Sequence, residues 1–344
     1  MNTVQEIKSD IKRALLSQQN KIVIPHYNAA VLFEQVLEEN PLIAVQIDRV
    51  STTATFGRLV VYVDYNGDEL PQHVSRVNNE REFEQALHKS IGKYASRALI
   101  ISPASVNVEQ LYHNFYTAYG GYYSNLTRMA FEQKRSGRGA ETWNTFTFTY
   151  RIGRLRLGVM ERLVDEKAAA IAKQLFLPSM SSQVKAYVAH NYLAVNVEYC
   201  NNKSATPLER SYLQSAYGAL INNRCVCQGY SEAYKRLLDE AKIACNVICG
   251  KIRGSKENHA WNVVSFNGKN YYHVDVTWDA GKDKPRFDYY GLNDVQMSKD
   301  RIWTRPSNIL CSGGEDILNA AKRDISLRKE QYVAQGIAKK YLGL

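Results

Sequence analysis

Cys225-Val226-Cys227-Gln228-Gly229-Tyr230-Ser231-Glu232-Ala233-Tyr234 is the stretch around which the rest of the chain is read. Gly229 is a poor helix residue, but from Tyr230 onward apolar side chains recur at helical spacing through Leu237, Leu238 and Ala241. Cys227 therefore falls at or just inside the start of a helix. The unpaired amides and the positive end of the helix dipole favour a thiolate there, which is the nucleophilic form of cysteine.

Two downstream segments supply partners for such a thiol. Asn258-His259-Ala260-Trp261-Asn262-Val263-Val264 alternates as a strand from His259, and Tyr271-Tyr272-His273-Val274-Asp275-Val276-Thr277-Trp278-Asp279 reads as another. Phe266-Asn267-Gly268-Lys269 between them is a hairpin turn with an Asn-Gly signal. A hairpin sets the strands side by side, so Asp275 can lie next to His259 on one face. His259 can then take the Cys227 proton while Asp275 holds the imidazole tautomer. Each residue alone has a plain structural reading, as a small buried thiol, a hydrogen-bonded strand histidine or a surface ion pair. The ordered set of helix-start cysteine, strand histidine, hairpin and strand aspartate favours chemistry.

Other chemistries find less support. Cys225 and Cys227 with Cys245 and Cys249 form two pairs, but Cys-x-Cys is tighter than a zinc knuckle. Alternation puts Cys245 and Cys249 on one face of an apolar run. There is no P-loop or dinucleotide fingerprint and no acidic cluster at calcium-loop spacing. No metal and no cofactor are expected.

The words Val226-Cys227-Gln228-Gly229-Tyr230, His259-Ala260-Trp261-Asn262 and Tyr272-His273-Val274-Asp275-Val276-Thr277-Trp278-Asp279 carry a resemblance. Lys185–Leu193 with Tyr199, Ala216-Tyr217-Gly218-Ala219-Leu220, Phe287-Asp288-Tyr289-Tyr290 and Met297-Ser298 add to it. Over roughly residues 180–305 the chain resembles the transglutaminase-like superfamily in its bacterial form. The resemblance implies a papain-like α+β fold, with the cysteine helix packed on an antiparallel sheet that carries the histidine and aspartate. Cys227, His259 and Asp275 would take the triad positions. An oxyanion would be held by the nucleophile's backbone N–H and an upstream side chain, for which Tyr217 is the expected donor. Gln228 follows the nucleophile and is not equivalent to the upstream glutamine of papain-type proteases. Gln228, Trp261 and Trp278 would line the substrate groove, though the two tryptophans read equally as hairpin core. The implied chemistry is acyl transfer through a Cys227 thioester on a protein or peptide substrate. Protein-glutamine transglutaminase or deamidase comes first, and cysteine protease or peptidase second. A catalytically inactive binding module is third, and the intact triad counts against it.

The 344 residues, 45% hydrophobic and 23% charged, suit a soluble globular chain of two or three domains. No run approaches the roughly 18 apolar residues of a membrane span. Met1–Lys8 has no apolar core region, so no secretory signal is expected and a cytoplasmic setting with reduced thiols is the default. Export by a route not visible here, or a trimmed leader, is the alternative. The net charge of +10 reads as a solvated basic surface or as attraction to an acidic surface. No basic block is interleaved with stacking aromatics, which counts against nucleic acid; Lys134-Arg135-Ser136-Gly137-Arg138-Gly139 reads as a basic loop.

Upstream, Ile7, Ile11, Leu15 and Leu16 mark a first helix, Ile22–Ile24 a short strand, and residues 29–39 a second helix. Ala44–Val50 and Arg58–Tyr65 read as strands, the latter closed by Asn66-Gly67. Ala98–Pro103, a helix-like Val108–Tyr122 and Thr145–Tyr150 echo this pattern about 77 residues later. The expected division is a small α+β module at 1–75, a second and possibly repeated one at 76–160, the transglutaminase-like domain at 161–312, and a helical tail at 313–344. Within the third segment helices are expected at 159–176, 182–195 and about 207–221.

Overall fold

The chain enters its first helix, α1 (Val4–Leu16), through a capping box in which Thr3 and Glu6 each bond the other's backbone N–H. The computed structural model describes residues 3–55, 57–119, 123, 125–136, 139–281, 285–305, 309–313 and 316–344. Gly137 and Arg138 of the basic stretch lie outside the described residues, as does Tyr122 at the end of the expected third helix. Residues 1–113 with 128–149 form one unit, and 114–127 with 150–344 the other.

The N-terminal elements continue with β1 (Lys21–Ile24), α2 (Ala29–Glu39), α3 (Pro41–Ala44), β2 (Ile47–Thr55), β3 (Arg58–Tyr65) and β4 (His73–Arg76). Then come α4 (Glu80–Gly92), β5 (Arg97–Pro103), α5 (Val108–Tyr119), β6 (Leu126–Arg135) and β7 (Glu141–Tyr150). Strand orders are β1-β3-β2 and β4-β5-β7-β6. In both sheets a helix–strand–helix–strand–strand run folds with its last strand in the middle. That placement suits β3, whose Val61 and Val63 are wholly buried. Two expectations need correction. Leu16 points outward at 64% exposure, because Ile7, Ile11, Ala14 and Leu15 complete the buried face. Ala44 and Val45 are not strand: Pro41 at the first helical position turns the chain through α3, and the strand begins only at Ile47.

The second unit holds α6 (Arg154–Leu175), α7 (Ser182–Asn196), β8 (Glu198–Tyr199), α8 (Pro207–Leu213), α9 (Ala216–Leu220), β9 (Arg224–Cys225) and α10 (Cys227–Glu240). Next are β10 (Ala244–Ile252), β11 (Asn258–Ser265), β12 (Tyr271–Val274), α11 (Val276–Asp279), β13 (Tyr290–Leu292), α12 (Asp294–Met297), β14 (Arg301–Trp303) and α13 (Ile317–Ala334). Strands β10 to β14 form one antiparallel sheet, β13-β12-β11-β10-β14, and β8 pairs in parallel with β9. Helix α10 packs on β10 and β11 and is itself covered by α6, α7 and α9. Tyr230, Tyr234, Leu237 and Leu238 of α10 join Val184, Tyr187 and Val188 of α7 in the main core. Strand β11 is buried on both faces. Its second face meets a smaller cluster of Ile248, Trp261, Val263, Met297 and Ile309. Among the described residues no helix is long and apolar enough to cross a membrane. The architecture is α+β, with a cysteine-bearing helix on an antiparallel sheet.

Here too the boundaries shift. Helix α6 starts at Arg154, five residues before the expected Val159. The stretch 207–221 is two helices, because Ser215 is extended (φ −137°, ψ 165°) between them. The C-terminal stretch carries helix α13, whose Ile317, Ala321, Ile325 and Tyr332 enter the main core. Asp275 is not in β12; it lies just past the strand's end as the N-cap of α11.

Candidate active site

Cys227 is the first residue of α10, where a helix leaves its N–H groups without intrahelical acceptors. The side chain is half-buried. Gly229 is no breaker here. A Cβ on it would lie 2.5 Å from the Cys225 Cβ and 2.9 Å from the Ser215 carbonyl, so glycine lets α10 start hard against its approach strand and α9.

His259 is the second residue of β11 and is nearly buried. The hairpin turn forms as its residues require: Gly268 has φ +72°, and Asn267 Oδ1 accepts from the N–H of Lys269 and Asn270. His259 Nε2–H donates to Asp275 Oδ2 at 2.6 Å. Nε2 is thereby engaged, and His259 and Cys227 line the same cleft. Burial pushes the His259 pKa down, but the charge and hydrogen bond of Asp275 outweigh it, and with Cys227 the result is a rise to about 9.

Asp275 is wholly buried and held from three sides. Besides His259, the Arg301 guanidinium reaches Oδ2 at 3.1 Å and the Trp278 N–H donates to Oδ1 at 3.3 Å. Arg301, from β14 at the sheet edge, is also wholly buried. Its guanidinium lies 4.2 Å from the Trp278 ring centroid and 4.8 Å from that of Tyr289.

The remaining sequence-predicted residues separate. Gln228 is at the cleft wall, where its Nε2 donates to Glu232 at 3.0 Å. Trp261 has no exposure; its Nε1–H donates to His273 Nδ1 at 3.0 Å and its ring stacks on His259. Trp278 packs edge-on against His259 and under Arg301. Neither tryptophan is among the residues that line the cleft beside Cys227. Tyr217 stacks on Tyr212 with ring centroids 4.9 Å apart, and it is not among the residues that line the cleft beside Cys227. Gln214, at the end of α8, is.

Several charged groups here have no obvious mark in the sequence. Glu232 lies half-buried one turn after Gln228, accepts from the Ala216 N–H at 3.0 Å, and is raised to about 7 by desolvation, tempered by its bond to Gln228. Two further buried histidine–carboxylate pairs exist, His190–Asp279 at 3.2 Å and His273–Asp294 at 2.9 Å. Neither histidine is in the Cys227 cleft. His273, Asp294 and Cys311 are the one group among the described residues whose possible metal-ligand atoms cluster, within 4.8 Å. Both ring nitrogens of His273 are already engaged, one by Trp261 and one by Asp294. All six cysteines are free thiols. Burial lifts Cys249, in the same cleft, to about 12.

A helix-start thiol, a strand imidazole and a buried carboxylate thus sit in one unit. Residues 169–276 match the transglutaminase-like superfamily. The transglutaminase-like match contains both α10 and β11 and ends one residue past Asp275. Solved structures similar to the chain include one described as a TGase, at 12% identity over 96% of this chain and 94% of that one, with a TM-score of 0.29. Another is a candidate cysteine protease from Cytophaga hutchinsonii, 13% identical over 44% of this chain and 65% of that one, TM-score 0.28. A third is a candidate protease from Parabacteroides distasonis, 11% identical over 77% and 64%, TM-score 0.26. The chain spans less than two thirds of either protease structure. At such TM-scores these likenesses say nothing of activity or substrate. No curated protein matches the chain.

Proposed function

We propose that the chain is a thiol-dependent acyltransferase that forms a thioester at Cys227 with the carboxamide of a protein-bound glutamine. The observation that carries this is the 2.6 Å His259–Asp275 pair, with Cys227 and His259 lining one cleft. Cys227 Sγ attacks the amide carbon, and its own backbone N–H, at the open helix start, receives the developing oxyanion. His259 delivers its proton to the departing nitrogen, which leaves as ammonia. The thioester then passes to an amine, giving a cross-link, or to water, giving deamidation; His259 takes up the proton released in either case. Asp275 fixes the tautomer and stabilises the imidazolium. A reducing compartment suits this reading, since Cys227 must remain a thiol.

The test is incubation with a labelled primary amine and a glutamine-bearing protein, with ammonia measured in parallel. Incorporation that needs Cys227 supports transfer, and ammonia without incorporation supports deamidation. Peptide-bond cleavage alone would move the chain to the protease reading. The absence of all three would leave a binding module.

The pH profile is a second check. The proton that His259 must deliver is lost as pH rises through about 9, not through the 6.5 of a free imidazole. Single-turnover acylation is therefore expected to stay high through neutrality and fall with an alkaline limb near pH 9. A limb near 6.5 would contradict the coupling to Asp275.

A further inference from the structure

The cleft at Cys227 encloses about 650 Å³. Among the described residues its ionisable wall groups are Arg151, Lys251, His259, Cys227, Cys249 and Tyr123, with no aspartate or glutamate. The nearby carboxylates are withdrawn. Asp275 is wholly buried behind His259 and ion-paired with Arg301, and Glu232, half-buried, is engaged by Gln228 and by the Ala216 N–H. Glu257 is exposed on the approach to β11 and does not line the cavity. Lys251 comes from β10, beside Gly250, where a Cβ would meet the Ile302 carbonyl at 2.4 Å and Trp261 at 2.7 Å. The bare backbone there lets β14 close on β10 and leaves the two cations as the charged features flanking the catalytic pair.

We propose that this cleft selects an acyl donor carrying a carboxylate beside the reacting carboxamide, with Arg151 and Lys251 as the groups that hold it. The proposal rests on the thioester reading and adds a substrate class to it. Like-signed walls of low polarity concentrate ions of opposite charge, by factors on the order of 10 or more. A carboxylate can come from an acidic side chain next to the glutamine or from a peptide C-terminus, and the chemistry of recognition is the same.

Two probes test it on the full chain. The first is the ratio of Cys227 alkylation rates with iodoacetate, an anion, and iodoacetamide, its neutral counterpart. The His259 imidazolium attracts the anion in every variant, so the change in ratio is the readout. Arg151→Gln with Lys251→Gln is expected to lower the ratio about 10-fold, as is added salt. Lys251→Gln alone, on an exposed side chain, lowers it part-way and does not depend on the half-buried Arg151 site folding unchanged. A ratio that neither variant nor salt moves overturns the proposal. A slow iodoacetamide reaction in the unmodified chain would instead overturn the thiolate reading, so the two failures are distinct. The second probe compares glutamine peptides with blocked ends and a neutral neighbour, the same with a neighbouring glutamate, and the same with a free C-terminal carboxylate. The glutamate or the free-carboxylate peptide should gain on the order of 10-fold in kcat/KM, whichever names the source; equal values for all three contradict it.

Discussion

Cys227→Ala is expected to abolish acyl transfer, by on the order of 10⁵-fold or more, with the fold retained. The size follows from what is removed. The thioester has no other place to form. The residual rate of an enzyme stripped of its nucleophile comes from binding and oxyanion stabilisation alone. Cys227 is half-buried at a helix start, so its truncation opens no core cavity. Thermal unfolding within a degree or two of the parent, with activity gone, is the expected combination. Residual turnover above about 1% would place the nucleophile elsewhere. Cys225 and Cys245 are buried away from the cleft, and Cys249 is the one other thiol on its wall.

Arg301→Met should have the largest effect on stability. Arg301 and Asp275 are both wholly buried, 3.1 Å apart, and the guanidinium fills the space between Trp278 and Tyr289. Methionine restores much of the volume but none of the charge. Removing one partner of a buried ion pair costs about 3–5 kcal/mol, and here Asp275 keeps only His259 and the Trp278 N–H. For a unit of this size that corresponds to a Tm lower by about 10 °C. Arg301→Lys should recover little, because an ammonium cannot lie flat between two rings. Adding Asp275→Asn to Arg301→Met should cost much less than the sum of the single changes, since the stranded charge disappears. Additive costs in that double-mutant cycle would mean that the pair is not coupled.

The ease with which parts of this site are legible follows from how local their causes are. The helix start at Cys227 is set by the ten residues around it, and the hairpin by Asn267-Gly268, whose left-handed glycine needs no tertiary help. Both are readable directly. Asp275 is harder to read: Val-Thr-Trp after it looks like strand, yet aspartate is among the strongest N-caps, and in the structure its Oδ1 accepts from the Trp278 N–H in that role. Arg301 could not be read. It reaches Asp275 only because β14 returns to the edge of β10, a pairing that nothing in Asp300-Arg301-Ile302 announces. The aromatic residues mislead for the opposite reason. Trp261 and Trp278 lie within the motif words, but their rings pack against His259 and, for Trp278, Arg301, so that neither lines the cleft, whereas Gln228 of the same words does. Tyr217 lies close in sequence to Cys227 but turns to Tyr212, because the break at Ser215 re-aims α9.

The central claim is that Cys227 is an activated thiol because His259, backed by Asp275, is its base. Substoichiometric iodoacetamide at pH 6.5, followed by mapping the label over the six cysteines, measures this directly. Cys227 should take the label on the order of 100-fold faster than Cys249, whose burial holds its thiol near 12, and His259→Ala should erase most of that advantage. Equal labelling of Cys227 and Cys249, or a Cys227 rate indifferent to His259→Ala, would contradict it.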